Sequence, residues 1–92
     1  MTEQRVPNKK AVALQYDHDR DAAPRIVASG RGAIAEQILG LAKENDVPMH
    51  ADKALVETLL AFDVGKEIPP ELYAVVAEVL AFAQRLDKRE GR

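Results

Sequence analysis

The chain has 92 residues, 47% of them hydrophobic and 30% charged, a composition that suits one small globular domain and excludes a disordered one. Its 13 basic and 15 acidic side chains leave a net charge of −2, which gives no pointer to nucleic acid or to an anionic membrane surface. There is no cysteine, so disulfides and thiolate-based metal or redox chemistry are excluded.

Residues 1–9 are almost devoid of apolar side chains and read as a flexible tail, with no apolar signal segment. The folded domain is expected over 10–87, with 88–92 frayed. Ala11-Val12-Ala13-Leu14-Gln15-Tyr16 is a short apolar run stopped by Asp17-His18-Asp19-Arg20-Asp21, the pattern of a strand entering a charged loop. Its near-continuous apolar character suits a strand covered on both faces. Pro24 stands at the entrance of a second strand, Arg25-Ile26-Val27-Ala28-Ser29, where its missing N–H costs least. About eight residues join the two strands, which suits an antiparallel pair.

Gly30-Arg31-Gly32 makes a turn, and Ile34, Ile38, Leu41 and Ala42 then form a helical stripe that predicts an amphipathic helix over about 32–45. Val47-Pro48-Met49-His50 sits between two helical patterns and is read as a third, very short strand. Asp52 is placed to cap the next helix, whose apolar face is Leu55, Val56, Leu59, Leu60 and Phe62. Asp63-Val64-Gly65-Lys66-Glu67 reads as a loop. Ile68-Pro69-Pro70-Glu71 opens the longest helix, on which Leu72, Val76, Val79, Leu80, Ala83 and Leu86 share a face. The order β-β-α-β-α-α predicts an α/β domain: a small three- to four-stranded sheet flanked by about three helices.

No stretch approaches the ~20 consecutive apolar residues of a membrane span. The expectation is a soluble, cytoplasmic protein. Catalytic chemistry is hard to assemble from the single serine, Ser29, two threonines, Thr2 and Thr58, and two histidines. Ser29-Gly30-Arg31-Gly32 before a helix invites a phosphate-binding reading, but it lacks the full glycine pattern and any P-loop lysine, and a tight turn explains it better. Asp17-His18-Asp19-Arg20-Asp21 lacks the later ligand positions of a calcium loop and reads as a solvated turn, and His50 has nothing spaced to join it. No metal, cofactor or nucleic-acid site is expected.

Taken together, Ala11–Asp17, Ala22–Gly32, Ile68–Tyr73 and Val76–Phe82 resemble, in order and spacing, the cytoplasmic C-terminal domain of the FlhB/YscU export-switch family. The resemblance runs from about Ala11 to Leu86 and implies a small sheet wrapped by helices. It implies a place at the cytoplasmic face of a bacterial flagellar or type III secretion export apparatus. There the domain helps choose substrates and switches specificity when a hook-length control protein contacts it. The partners implied are therefore the export gate, that control protein and the export substrates.

Full-length members carry membrane-spanning helices before this domain, and none stands in these 92 residues. Members also cut themselves at an Asn-Pro-Thr-His motif just before the strand, through cyclisation of the asparagine. Val6, Pro7, Asn8 and Lys9 occupy those four positions here, with only the proline retained. Valine has no side-chain amide to attack the peptide carbonyl, so no self-cleavage is expected. The family often has Pro-Leu-Ala-Arg where Ala54, Leu55, Val56 and Glu57 stand, which makes this stretch a candidate partner-binding site with reversed charge at Glu57. The expectation is a non-catalytic binding module of protein export; the alternative is an adaptor that kept the fold outside secretion.

Overall fold

The computed structural model of the chain describes residues 9–17 and 19–89, the last six of these by backbone alone. Two strands, β1 (Lys10–Gln15) and β2 (Arg25–Arg31), pair antiparallel as expected, with Lys10 opposite Arg31, Val12 opposite Ser29 and Leu14 opposite Ile26. Between Ala13–Ala28 and Leu14–Ile26 the register slips, leaving Val27 as a β-bulge with no residue opposite. Three helices follow: α1 (Ala33–Glu44), α2 (Lys53–Leu59) and α3 (Tyr73–Arg89), the last led in by a 3-10 turn over Pro70–Leu72.

The two faces of this ribbon are built differently, and helices cover both. On one face Val12, Leu14 and Ile26 meet Leu55 and Leu59 of α2, Ile68, and Val76 of α3; Phe62, Leu72, Val75, Val79 and Leu80 pack around them. Successive strand residues point to opposite faces, so Ala11 and Ala13, with Gly30 and Ala28 opposite them, form the other face. That surface of small side chains lets α1 come close, and Ala35 at the contact is fully buried. Ile34 passes so near β2 that a Cβ on Gly30 would lie 2.2 Å from its Cγ2 and 2.7 Å from its Cβ.

The close approach also turns α1 from its expected orientation. Ile34 and Leu41, read from periodicity as core-facing, are 51% and 59% exposed, because Ala35 and not the isoleucine stripe fits the shallow alanine face. Asp52 caps α2 as expected, its Oδ1 accepting from the Leu55 amide at 3.1 Å.

The α/β class is as expected, but the three- to four-stranded sheet is not: among the described residues the sheet has two strands. Val47–His50 is irregular and makes no ladder, and Pro48 within it lacks a backbone donor. The added sheet-like pairing comes instead from the stretch read as a loop. The Ile26 amide donates to Lys66 O at 2.9 Å, the Gly65 amide to Ile26 O, and the Ile68 amide to Pro24 O, with an antiparallel bridge between Arg25 and Glu67. The Arg25 guanidinium holds the clip, donating to Gly65 O at 3.0 Å beside the Glu67 and Asp21 carboxylates.

Gly30→Ala is expected to destabilise the domain by about 1–3 kcal/mol, because the added methyl collides with Ile34. Urea denaturation checks this, and the double variant with Ile34→Ala should recover most of the loss.

Candidate functional site

Of the first stretch singled out in the sequence only Lys9 lies among the described residues, and its neighbour Lys10 reaches Glu57 of the second. Val6, Pro7 and Asn8 fall outside the described residues. Lys9 is exposed, and its carbonyl accepts from the Gly32 amide at 2.8 Å. Gly32 has φ +60°, a conformation glycine adopts freely, and it is the residue that starts α1. The main chain at the last of the four motif positions is thus fixed where the sheet meets a helix.

Lys10 follows on the Val12 face, and its ammonium donates to the Glu57 carboxylate of α2. The Glu57 carboxyl is held below the ordinary glutamate range, first by that hydrogen bond and then by the Lys10 charge, with Lys53 and Arg31 adding to it. The charge reversed at Glu57 therefore has a partner within the chain. An arginine in its place would face Lys10 with like charge.

Of the other three residues in that stretch, Leu55 is buried in the core and cannot meet a partner, since it forms the core-facing edge of α2 with Leu59. Val56 is half-buried and Ala54 exposed, so only Ala54 and Glu57 present themselves fully to solvent.

The charged loop between the strands is knitted to itself. The Asp17 amide donates to Asp21 Oδ2 at 3.0 Å, the Asp19 amide to Asp17 Oδ1 at 2.9 Å, and the Arg20 and Asp21 amides to Asp17 O. Asp17 and Asp21 also pair with Arg20 and Arg25. Among the described residues no three potential metal ligands converge, and His18 is not among them. The His50 ring meets Phe82 edge-on, centroids 5.3 Å apart. Ser29 lies within β2 opposite Val12.

Sequence reasoning missed a cleft of about 200 Å³ between the β1–β2 connection and α3. Ala22, Ala23 and Pro24 line it from the connection, Tyr73, Ala77 and Leu80 from α3, and Tyr16 completes it. The two tyrosines are 37% and 44% exposed. The lining is apolar and the volume is below that of most small-molecule pockets, so it fits one or two side chains of a protein partner. Its signal was present: Tyr73, Ala77 and Leu80 recur at four and three, a second stripe beside the core stripe of Leu72, Val76 and Val79.

Comparison with known proteins gives a consistent picture. Residues 6–83 match the model of the FlhB HrpN YscU SpaS family. The uncharacterized protein YlqH of Bacillus subtilis (strain 168) is 42% identical over 85 residues, which are 92% of this chain and 91% of that protein. The flagellar biosynthetic protein FlhB of Escherichia coli (strain K12) is 41% identical over 83 residues, and that of Aquifex aeolicus (strain VF5) 38% over 84. Those matches cover 89% and 90% of this chain but only 22% and 24% of the two FlhB proteins, so the chain spans under a quarter of their length. Among solved structures, a mutated EscU C-terminal domain superposes with a TM-score of 0.80 at 28% identity, covering 84% of this chain and 94% of that one. The PscU C-terminal domain gives 0.77 at 26% identity, covering 83% and 98%.

The Lys10–Glu57 pair yields a pH prediction. A carboxyl whose folded pKa is depressed stabilises the fold above its unfolded pKa, and that contribution fades as pH falls through the folded value. Lys10→Met is expected to raise the Glu57 midpoint toward the ordinary glutamate range and to remove this acid-side loss. A carboxyl-detected NMR titration of both proteins reads the shift, and high salt should narrow the difference, since the pair is exposed.

Proposed function

The chain belongs to the FlhB HrpN YscU SpaS family, and on that premise we propose that it is a non-catalytic binding module of the flagellar, type III protein export apparatus. It acts at the cytoplasmic face of that apparatus, where it assists the recognition of export substrates and the switch in their specificity. The observation that carries this reading is the apolar cleft between Pro24 and Tyr73. It offers a partner a place for an apolar side chain and offers a substrate no reacting group. Family membership supports this setting, since relatives are flagellar biosynthetic proteins FlhB and structural neighbours are the EscU and PscU C-terminal domains.

The same reading denies the chain the self-cleavage that the family resemblance implies. Val6 stands at the asparagine position and has no amide to cyclise, while Asn8, two residues on, precedes Lys9 and does not restore the motif. Among the described residues no helix is long and apolar enough to cross a membrane.

Tagged protein purified from its host under native salt should bring down export-gate components or the hook-length control protein, with the intact mass of all 92 residues retained. Ala77→Glu, an exposed position in the cleft, should lose the captured partner without loss of helical signal. Recovery of unrelated proteins alone would favour an adaptor outside secretion. A mass cut between Val6 and Lys10 would show that cleavage persists.

A further inference from the structure

The start of the ribbon gathers cations. Lys10 and Arg31 are partners in the register, directly opposite one another at the end of the two strands. Opposite residues of an antiparallel pair point to the same face with Cβ atoms about 5 Å apart, so two positive side chains leave the ribbon together on the Val12 side. α2 adds a third: Lys53 stands four residues before Glu57, one helical turn away on the same side of the helix. Lys10 donates to the Glu57 carboxylate, and Lys53 and Arg31 lie near enough to act on its charge.

The balance here is uneven. Like charges set directly opposite destabilise a strand pair, and one carboxylate relieves only part of that repulsion. Among the described residues neither Arg31 nor Lys53 has an ion-pair partner. Asp52, next to Lys53, makes none either and caps α2 through the Leu55 amide. Three cations thus surround one paired carboxylate, on a chain whose net charge is −2. Arg31, Lys53 and Glu57 are all exposed. An open surface of this kind does not dehydrate a small ion, and these four side chains include no ring on which a nucleic-acid base could stack. It suits carboxylates presented together by an acidic segment of a protein.

We infer that Lys10, Arg31 and Lys53 form a docking surface for an acidic segment of a protein partner, and that Glu57 is a built-in carboxylate that occupies it in the free chain. A carboxylate of the partner takes Lys10 from Glu57, while others pair with Arg31 and Lys53. Exchange of one carboxylate for another at Lys10 changes little, so the gain on binding comes from Arg31 and Lys53. A segment with a single carboxylate only replaces what is already there, and Glu57 in this way selects for clustered acidic residues. The surface shares no residue with the cleft beside α3, and it is available whether or not the chain serves protein export.

The test titrates the full chain at low salt with acetyl-Asp-Glu-Glu-Asp-Glu-amide, the corresponding Asn/Gln peptide serving as control. NMR should show saturable binding at millimolar peptide, with shifts at Lys10, Arg31, Lys53 and the Glu57 carboxyl, and none from the control. Lys53→Glu should weaken binding about tenfold, and high salt should abolish it. Glu57→Gln should tighten it about threefold, since the competitor is gone, and Lys10→Met in that background should reverse the gain. Absence of binding, equal binding of the two peptides, or shifts confined to the cleft beside α3 would overturn the docking surface, and these comparisons need no variant. Unchanged affinity in Glu57→Gln would overturn the role of Glu57. Tighter binding of oligothymidylate than of the acidic peptide would give the surface to nucleic acid instead.

Discussion

Ile26 is the residue on which the domain turns. Its side chain is fully buried at the centre of the larger core, between the strands and all that α2, Ile68 and α3 bring to it. Its backbone amide and carbonyl face away from β1 and bond to Lys66 and Gly65. One residue thus anchors the hydrophobic layer and extends the hydrogen-bonded one. A two-stranded ribbon has little stability of its own, so both the clip at Gly65–Ile68 and the two helical layers are needed for it to persist.

The electrostatics follow the same economy of partners. Arg25 gathers Asp21, Glu67 and Gly65 O at one end of the ribbon, and Lys10 gathers Glu57 at the other. Each joins segments distant in sequence at the surface, where such pairs fix geometry more than they add stability. A carboxylate engaged with Lys10 is less available to an outside partner, and a ligand that wanted an arginine here would meet a neutral pair instead.

Much of this was legible in the sequence, and the misses have physical causes. Both strands, the three helices and the Asp52 cap were readable because periodicity and capping chemistry are local. The four ordered segments of resemblance were enough to find the family. Val47–His50 was misread because short apolar runs between helices look like strands, whatever edge is or is not there to receive them. Gly65–Ile68 was missed for the converse reason: lysine, glutamate and glycine announce a loop, and only the third dimension supplies Pro24 and Ile26 as partners. The α1 stripe held only in part: Ile38 and Ala42 are half-buried, Ile34 and Leu41 are exposed, and the fully buried side chain against the alanine face is Ala35. The cleft beside α3 was hidden by its neighbour, since Leu80 had already been counted into the core stripe.

The bulge at Val27 gives β2 a change of parity. Ile26 and Ala28 are two residues apart and would share a face in a regular strand, yet they serve opposite layers. A slide of β2 by one residue along β1 turns Ile26 to the shallow face and the small residues beyond the bulge to the deep one. The strand therefore has one reading frame on each side of the bulge. An edge-rich small sheet is ordinarily prone to slippage and mispairing. Here a one-residue slip misplaces side chains on both sides of Val27, so the two unlike faces oppose the nearest wrong alignments.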